Sequence, residues 1–363
     1  MSLPIKLPLL QPPANLCLIR LSALGDVSHT LPLLRTLQTV WPETSITWII
    51  GSSEYALVSD ISDVEFIPFD KKAGLKAYQQ LRRQLQGRQF DLLLMLQMSL
   101  RASMLSLLIN SPLRLGFDRQ RAKDFQWLFS NQKIAYQPRQ HVIDSFFGFS
   151  DALGITPDKR QLRWDIPIPA AAFANAQALR PAAGYFIISP CASKAYRNWL
   201  PERYRAVAEA IYHDYHLQPL LCGGPSETEQ RMGEEIIRHC NAPILNLIGK
   251  TPLKTLLALL SEARFIISPD SGTAHLGSAL GRPVIGLYAC TNPERARPYL
   301  NAETTVNCYP EAMRQKWGTK AASRPWGSRV KEAFAMQLIT TEAVLAMVAK
   351  IQNTEIITNS RSV

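Results

Sequence analysis

Residues 22–30, SALGDVSHT, form the first of four short segments whose residue types suit chemistry. The segment follows an apolar run and precedes an amphipathic one, which predicts a loop between a strand and a helix. A carboxylate at Asp26 can accept a proton from a substrate hydroxyl, and Gly25 permits a close approach of the backbone to a ligand. Two structural interpretations stay open, namely Asp26 as a helix N-cap and His29 as a satisfied core histidine.

The second segment, ISPCASKAYRNW at residues 188–199, carries two cations three positions apart, Lys194 and Arg197. Cations in a loop that leads to a helix N-terminus suit the binding of a diphosphate. Ser193 belongs to the same candidate site. The alternative is a solvated basic loop with no ligand.

The third segment, SPDSGTAH at residues 268–275, lies between a predicted strand and a predicted helix. The first residues of a helix present backbone N–H groups without acceptors, so this segment predicts an anion site. Its candidate ligand-binding residues are Asp270, Ser271, Gly272, Thr273 and His275. The alternative is that Asp270 merely caps an inert helix.

The fourth segment, CGGPSETE at residues 222–229, follows another predicted strand. Gly224 allows a ligand to approach the backbone, and Glu227 or Glu229 is placed to bind a ribose or a base edge. Carboxylates at this position also favour the helix dipole without binding anything, and that interpretation stays open.

Sequence patterns for several other kinds of site are absent from the chain. It contains no GxxxxGK[ST], no GxGxxG, no HExxH, no Cys/His cluster and no DxD. We therefore expect no metal and no cofactor. Any bound phosphate must then be neutralised by lysine, arginine and backbone N–H groups.

These segments need a scaffold, and the alternation of short apolar runs with longer amphipathic ones predicts parallel sheets covered by helices. The proline-rich stretch 155–183 is the predicted junction between domains. We expect domains at residues 1–165 and 166–340, then a C-terminal helix and tail at 341–363 that packs back on the first domain. The predicted class is α/β, with two doubly wound, Rossmann-like domains facing a cleft. Residues 309–331 read as an irregular basic stretch.

The composition fits a globular protein with anionic partners. The chain has 363 residues, 47% of them hydrophobic, and a net charge of +11 that is spread over both halves. Six cysteines without CxxC spacing predict free thiols in a reducing compartment. Neither a signal peptide nor an 18-residue apolar span is apparent. We expect a cytoplasmic protein that is at most peripheral to a membrane.

Taken together, the four segments resemble glycosyltransferase family 9, the heptosyltransferases of lipopolysaccharide inner-core synthesis. Residues 22–32 look like that family's S-x-x-G-D-x-x-x-x-x-P segment, and residues 270–275 match its D-[TS]-G-x-x-H segment. Arg197 and Trp199 stand where the family has a basic residue two before a tryptophan. There are departures, since Met98 replaces a usual glycine and residues 289–291 read A-C-T in place of G-P-T.

The resemblance implies a GT-B fold, an ADP-sugar donor on the C-terminal domain and a phosphorylated lipid A–Kdo acceptor on the N-terminal domain. It implies that Asp26 is the general base. It also implies donor binding by the second and third segments. On the acceptor side the resemblance points to Arg101, Lys123 and His141, and Gly25 and His29 of the first segment complete the predicted acceptor-binding set.

The sequence therefore predicts an inverting, metal-independent transfer of heptose from ADP-heptose to a lipopolysaccharide inner-core acceptor. Peripheral contact with the inner face of the inner membrane is expected, because basic segments at 71–72, 82–88 and 114–123 suit an anionic surface. A sugar-nucleotide epimerase and a non-catalytic nucleotide- or glycan-binding protein are the alternatives. Nucleic acid is not an expected partner, since the charge is diffuse.

Overall fold

The computed structural model describes the backbone of residues 7–360 and the side chains up to residue 354. The chain divides into two compact units, the first ending at Pro167 and the second beginning at Ile168. Each unit contains one six-stranded sheet in which every pairing is parallel. This confirms the predicted α/β class.

The first unit alternates strands and helices along most of its length. Its strands are β1 (Asn15–Ile19), β2 (Ser45–Gly51), β3 (Val64–Phe69), β4 (Leu92–Met95), β5 (Leu113–Gly116) and β6 (Gln132–Lys133). Its helices are α1 (Leu24–Val40), α2 (Ser52–Val58), α3 (Leu75–Gln84), α4 (Leu100–Ser106) and α5 (Val142–Leu153). The sheet order is β3-β2-β1-β4-β5-β6.

The second unit repeats the alternation. Its strands are β7 (Tyr185–Ile188), β8 (Gln218–Leu221), β9 (Leu245–Asn246), β10 (Ile266–Pro269), β11 (Val284–Tyr288) and β12 (Val306–Asn307). Its helices are α6 (Ala170–Leu179), α7 (Pro201–Tyr215), α8 (Glu227–Ile237), α9 (Leu253–Glu262), α10 (Gly272–Ala279), α11 (Pro293–Ala296), α12 (Tyr309–Trp317), α13 (Phe334–Gln337) and α14 (Thr341–Ser360). The sheet order is β12-β11-β10-β7-β8-β9.

Both sheets have the same doubly wound topology, because in each one the strand order reverses beside the first strand. The reversal lies between β1 and β4 in the first unit and between β7 and β10 in the second. Open α/β sheets bind ligands beyond the carboxyl ends of the strands at such a switch point. The candidate loops after β1, β7 and β10 therefore start at the two positions where this topology favours a ligand.

The central strands are apolar along their whole length because helices cover both faces of each sheet. All four residues of β4, LLLM, are buried, as are all four of β7, YFII. Parallel pairing of β1 with β4 sets Ile19 beside Met95. The residues that follow these two strands consequently leave the sheet at the same edge.

The prediction of an irregular structure at residues 309–331 is wrong for the first part of this stretch. Residues Tyr309–Trp317 form helix α12, and Gly318–Ser323 form a 3₁₀ helix. The sequence YPEAMRQKW contains good helix formers behind a proline in the first turn, which is a common helix start. The C-terminal helix α14 contacts α7 and β11 of its own unit. Its predicted packing on the first domain stays a prediction.

Two further predictions concern the cysteines and the membrane. All six cysteines are free thiols, as expected. Burial raises the pKa of Cys222 and of Cys290 to about 12, so neither is a reactive thiolate at neutral pH. No helix within the described part of the chain combines the length and hydrophobicity that crossing a bilayer requires.

Candidate functional site

In the first unit, Asp26 lies in the first turn of α1, directly beyond the carboxyl end of β1. The N-cap of α1 is Ala23, so the interpretation of Asp26 as the N-cap residue is wrong. Asp26 is the third residue of the helix, and its Oδ2 accepts the backbone N–H of Ala23 at 3.3 Å. The carboxylate thereby satisfies one of the N–H groups that a helix start leaves open.

The main partner of Asp26 is Arg20, the residue directly after β1. Arg20 Nη2 lies 2.6 Å from Asp26 Oδ2. The guanidinium is itself held, since Nη1 donates to the carbonyl of Leu96 at 2.7 Å and the ring of Phe146 lies 5.5 Å below it.

The pairing with Arg20 engages only one of the two carboxylate oxygens of Asp26. The Asp26 side chain is 40% exposed, and its Oδ1 has no hydrogen-bond partner within residues 7–360. A carboxylate fixed through one oxygen with the other open to solvent has the form that a general base requires.

Gln97 connects the loop after β1 with the loop after β4. Its Oε1 accepts the backbone N–H groups of Leu21 at 2.7 Å and Ser22 at 3.1 Å. Its Nε2 donates to the hydroxyl of Ser99, the N-cap of α4, at 3.3 Å. One amide side chain therefore fixes both loops at the switch point of the first sheet.

The predicted acceptor-side residues of the first unit fall into two groups. His29 and His141 are buried, with their rings 5.8 Å apart in an edge-to-face arrangement. His141 is also the N-cap of α5, where its Nδ1 accepts the N–H of Ile143 at 3.1 Å. Arg101 and Lys123 are exposed. Gly25 is buried in the first turn of α1.

In the second unit, the helix after β10 begins as predicted, but its cap is a different residue. Ser271 is the N-cap of α10, and its Oγ accepts the N–H of Ala274 at 3.3 Å. Capping by Asp270 is therefore wrong. Helix geometry leaves the N–H groups of Gly272 and Thr273 without a carbonyl acceptor inside the helix, so they are available to an anion.

Asp270 is instead the centre of a buried ion cluster. Arg197 Nη1 lies 3.1 Å from Asp270 Oδ2 and donates to the Asp270 carbonyl at 3.2 Å. His275 Nε2 lies 3.5 Å from Asp270 Oδ1. Asp270 is only 12% exposed. The structure thus brings together three sequence-predicted residues: Arg197 from the segment after β7, Asp270 from the loop after β10, and His275 from the first turn of α10.

The electrostatics of this cluster favour the ionised pair. Burial opposes the charge on Asp270, but the hydrogen bond from His275 and the charge of Arg197 outweigh it and hold the pKa of the carboxyl below its usual range. Burial likewise opposes the charge of Arg197, and the carboxylate of Asp270 outweighs it and raises the pKa of the guanidinium. Asp270 and Arg197 are therefore both charged at neutral pH.

Lys194 and Ser193 do not join this cluster. Both side chains are exposed in the same loop. Asn198 shapes the loop from its far end, because its Oδ1 accepts the N–H of Ala192 at 2.9 Å. Lys194 is therefore an exposed cation in the same loop as Arg197, whose guanidinium is held by Asp270.

The glycine-rich loop after β8 is organised by Glu229 rather than by Glu227. Glu229 Oε2 accepts the N–H of Gly224 at 2.5 Å, and its Oε1 accepts the hydroxyl of Ser226 at 3.2 Å. Ser226 is the N-cap of α8, and its Oγ in turn accepts the N–H of Glu229 at 3.3 Å. Glu227 is 86% exposed and pairs with Arg231 at 2.8 Å.

Two residues that hold the site, Arg20 and Gln97, were not predicted as site residues. Glu229 was predicted to bind a ribose or a base edge, and in the structure it binds the backbone of its own loop. A signal existed for each. Arg20 is a charge inside an apolar run, Gln97 is a polar residue directly after the run LLLML, and Ser226 with Glu229 has the S-x-x-E spacing. Within the described residues, no three His, Cys, Asp or Glu side chains are grouped as metal ligands.

Comparison with known proteins gives the same assignment from sequence and from structure. Residues 78–322 match the model of glycosyltransferase family 9 (heptosyltransferase). The lipopolysaccharide core heptosyltransferase OpsX of Haemophilus influenzae is 38% identical over 93% of this chain and 97% of its own length. Lipopolysaccharide heptosyltransferase 1 of Escherichia coli K12 is 26% identical over 76% of this chain and 88% of its own length.

Solved structures share the fold. A family 9 glycosyl transferase from Veillonella parvula superposes with a TM-score of 0.76 at 20% identity, over 96% of this chain and 98% of that one. The E. coli heptosyltransferase WaaC, solved with ADP, superposes with a TM-score of 0.70 at 22% identity, over 93% of this chain and 99% of that one. With this match over most of its length, the chain belongs to glycosyltransferase family 9, the heptosyltransferases, and is a glycosyltransferase.

Proposed function

We propose that this protein transfers heptose from ADP-heptose to an acceptor in the inner core of lipopolysaccharide, with inversion at the anomeric carbon and without a metal ion. The observation that carries the chemistry is the carboxylate of Asp26, fixed by Arg20 through Oδ2 and open at Oδ1. The substrate class is supported by the relationship to OpsX, which is a lipopolysaccharide core heptosyltransferase.

The second unit is the proposed donor domain. Lys194, Arg197 and the first turn of α10 neutralise the diphosphate, because two cations and the N–H groups of a helix start stabilise an anion. Arg197 is held at Nη1 by Asp270, which fixes the position of its guanidinium in the loop after β7. The further donor-side residues are Ser193, Ser271, Gly272, Thr273 and His275, with Gly224 and Glu227 on the nucleoside side.

The first unit is the proposed acceptor domain, with Asp26 as the general base. Asp26 Oδ1 removes the proton from an acceptor hydroxyl, and that oxygen forms a bond to the anomeric carbon of heptose. The bond between this carbon and the diphosphate oxygen breaks on the opposite face. ADP leaves with the electron pair, and its charge is stabilised by the same cations that bound the donor.

The acceptor side includes Gly25, His29, Arg101, Lys123 and His141. Exposed cations such as Arg101 and Lys123 suit a phosphorylated glycolipid. We place the enzyme in the cytoplasm, in peripheral contact with the inner face of the inner membrane, where such an acceptor is anchored.

The test is a turnover assay with ADP-heptose, UDP-sugars and GDP-sugars, in EDTA, with and without deacylated lipid A–Kdo core. Release of ADP from ADP-heptose alone, and only when the acceptor is present, is the expected result. ADP-heptose turnover without acceptor would indicate an epimerase-type reaction. No binding of ADP-heptose would overturn the donor assignment.

A further inference from the structure

Helix α4 of the first unit turns apolar side chains toward solvent. Leu100, Met104 and Leu107 recur at helical spacing along Leu100–Ser106 and its continuation, and they are 54%, 46% and 59% exposed. Residues at i, i+4 and i+7 lie on one face of a helix. An apolar stripe on the outer face of a surface helix is unusual, since that face normally carries polar residues.

A second exposed apolar segment runs along the same helix. Asp124 Oδ2 accepts the N–H of Leu100 at the start of α4. Arg114 joins the end of α4 to the end of the apolar segment. It donates to the carbonyl of Ser106 at 2.8 Å and to the carbonyl of Phe129 at 2.9 Å. The intervening residues thus follow the helix from end to end.

Two large side chains of this segment face outward. Phe125 is 66% exposed and Leu128 is 63% exposed. Phe125 is the N-cap of the 3₁₀ turn Gln126–Leu128 and Leu128 is its last residue, and residues three apart in such a turn lie on one side. Gln126 anchors the turn below, since its Nε2 donates to the carbonyls of Met95 and Gln97. The apolar patch is made of Leu100, Met104, Leu107, Phe125 and Leu128.

The sequence around the apolar patch is strongly basic, and its acidic residues are already engaged. Asp118 is buried and paired with Arg121, and Asp124 accepts the N–H of Leu100. The guanidinium of Arg119 lies 4.6 Å above the ring of Trp127, which belongs to the 3₁₀ turn Gln126–Leu128. Exposed basic side chains between residues 100 and 140 are Arg101, Arg119, Lys123, Lys133 and Arg139.

This combination identifies one kind of occupant. A second copy of the chain would bring the same positive charges to the same face, and like charges across an interface are costly. An anionic bilayer accepts large apolar side chains at its interface and attracts each nearby lysine or arginine. We propose that the apolar patch and its basic rim dock the first unit on an anionic membrane.

A short chain of hydrogen bonds connects the start of α4 with the loop that precedes the candidate base. Ser99, which caps α4, is bonded to Gln97, and Gln97 holds the backbone at Leu21 and Ser22, just before α1. The helix that carries Leu100 and Met104 of the apolar patch therefore follows the switch-point loop directly. Docking here suits an acceptor that is anchored in the lipid, and in this respect the proposal rests on the proposed function.

The experiment measures sedimentation of the full-length protein with vesicles of phosphatidylcholine, alone or in equal parts with phosphatidylglycerol. We expect binding to the anionic vesicles only, weakening as salt increases. The double variant Phe125→Ser/Leu128→Ser should bind about tenfold more weakly, because it loses the inserting side chains. Lys133→Gln/Arg139→Gln should weaken binding by a similar factor and flatten the salt dependence.

Matched controls use exposed residues of the second unit. Leu300→Ser removes a side chain that is 50% exposed, and Lys320→Gln removes an exposed cation. Both variants should bind vesicles like the parent. Quenching of tryptophan fluorescence by brominated lipid adds a local readout. Trp127 should account for much of the quenched emission, so the Trp127→Phe variant should show much less quenching than the parent.

Three results would overturn the proposal. The first is that the protein does not bind anionic vesicles at low salt. The second is that Leu300→Ser weakens vesicle binding as much as the Phe125→Ser/Leu128→Ser double variant does. The third is that the parent is a dimer and the double variant is a monomer. The last would assign the patch to a second copy of the chain. None of these measurements requires turnover, so they are independent of the donor assignment.

If the proposed function also holds, activity separates the two ideas. The Phe125→Ser/Leu128→Ser variant should retain parental turnover on deacylated, soluble acceptor and lose about tenfold on acceptor embedded in anionic vesicles. An equal loss on both acceptors would contradict a docking role.

Discussion

Two aspartates follow strands at the switch points of the two sheets, yet their surroundings are opposite. Asp26 of the first unit is 40% exposed, with one cationic partner and an open oxygen. Asp270 of the second unit is 12% exposed and lies between Arg197 and His275. An exposed carboxylate with a free oxygen can take up a proton, whereas a buried carboxylate with both oxygens engaged serves to hold other groups in place. The same residue type beside the switch point of each sheet is thus suited to chemistry in one unit and to architecture in the other.

The largest expected effect tests the chemical half of this comparison. Asp26→Asn keeps the shape of the side chain and removes its basicity, so kcat should fall by about 10²–10⁴. The affinity for ADP and the melting temperature should stay close to the parental values. Single-turnover kinetics with calorimetric ADP binding would check both. Near-full activity of Asp26→Asn would exclude Asp26 as the base.

Asp270→Asn tests the architectural half. Removing one partner of a buried ion pair leaves the other charge uncompensated, which costs about 3–5 kcal/mol of unfolding free energy. Affinity for the donor should fall as well, because Arg197 is no longer held. Chemical denaturation of both proteins measures the loss. If Asp270→Asn were as stable as the parent and bound donor normally, the cluster would have no positioning role.

The same cluster predicts a pH dependence. The pKa of Asp270 is below its ordinary value of 3.8 in the folded protein, so its contribution is fully present above that value. It should be lost as the pH falls through the folded-state pKa. Denaturation between neutral and strongly acidic pH should therefore show a steeper loss of stability for the parent than for Asp270→Asn. Parallel curves would contradict the assignment.

Arg20→Lys tests whether orientation of Asp26 matters beyond charge. A lysine keeps the positive charge but loses the guanidinium fork that bonds Asp26 and Leu96 at once. We expect about a tenfold loss of kcat with an unchanged KM for the donor, since a small misplacement of a catalytic group is costly. Arg88→Lys, at the exposed pair with Glu65, is the matched control. Equal activity of the two variants would remove the positioning role.

The smallest expected effect concerns the glycine loop after β8. Ser226→Ala removes the N-cap of α8 and should lower the unfolding free energy by about 1 kcal/mol. Ser323→Ala removes an exposed hydroxyl that bonds only the carbonyl of Lys320, and it should have little effect. Thermal unfolding compares the two. A neutral Ser226→Ala would mean that Glu229 alone holds the loop.

Much of the fold follows from local sequence, and the α/β class is the clearest case. Strands such as YFII at residues 185–188 and VIGLY at 284–288 are apolar at every position, and only burial on both faces explains that pattern. Elements with weak local signals were harder to predict. Helix α4 and the two-residue strand β6 were not predicted, because short elements acquire their identity from neighbours rather than from their own periodicity.

The sequence by itself determined the strand-to-helix loops that hold Asp26, Arg197 and Asp270, because those loops are flanked by strong apolar runs. Only the tertiary structure decided which groups those residues meet. Arg20 reaches both Asp26 and Leu96, and Arg197 reaches Asp270, which lies 73 positions away in the chain. The physical reason is that periodicity reports the faces of one element, whereas a buried charge is satisfied by whichever distant loop the sheet order places beside it.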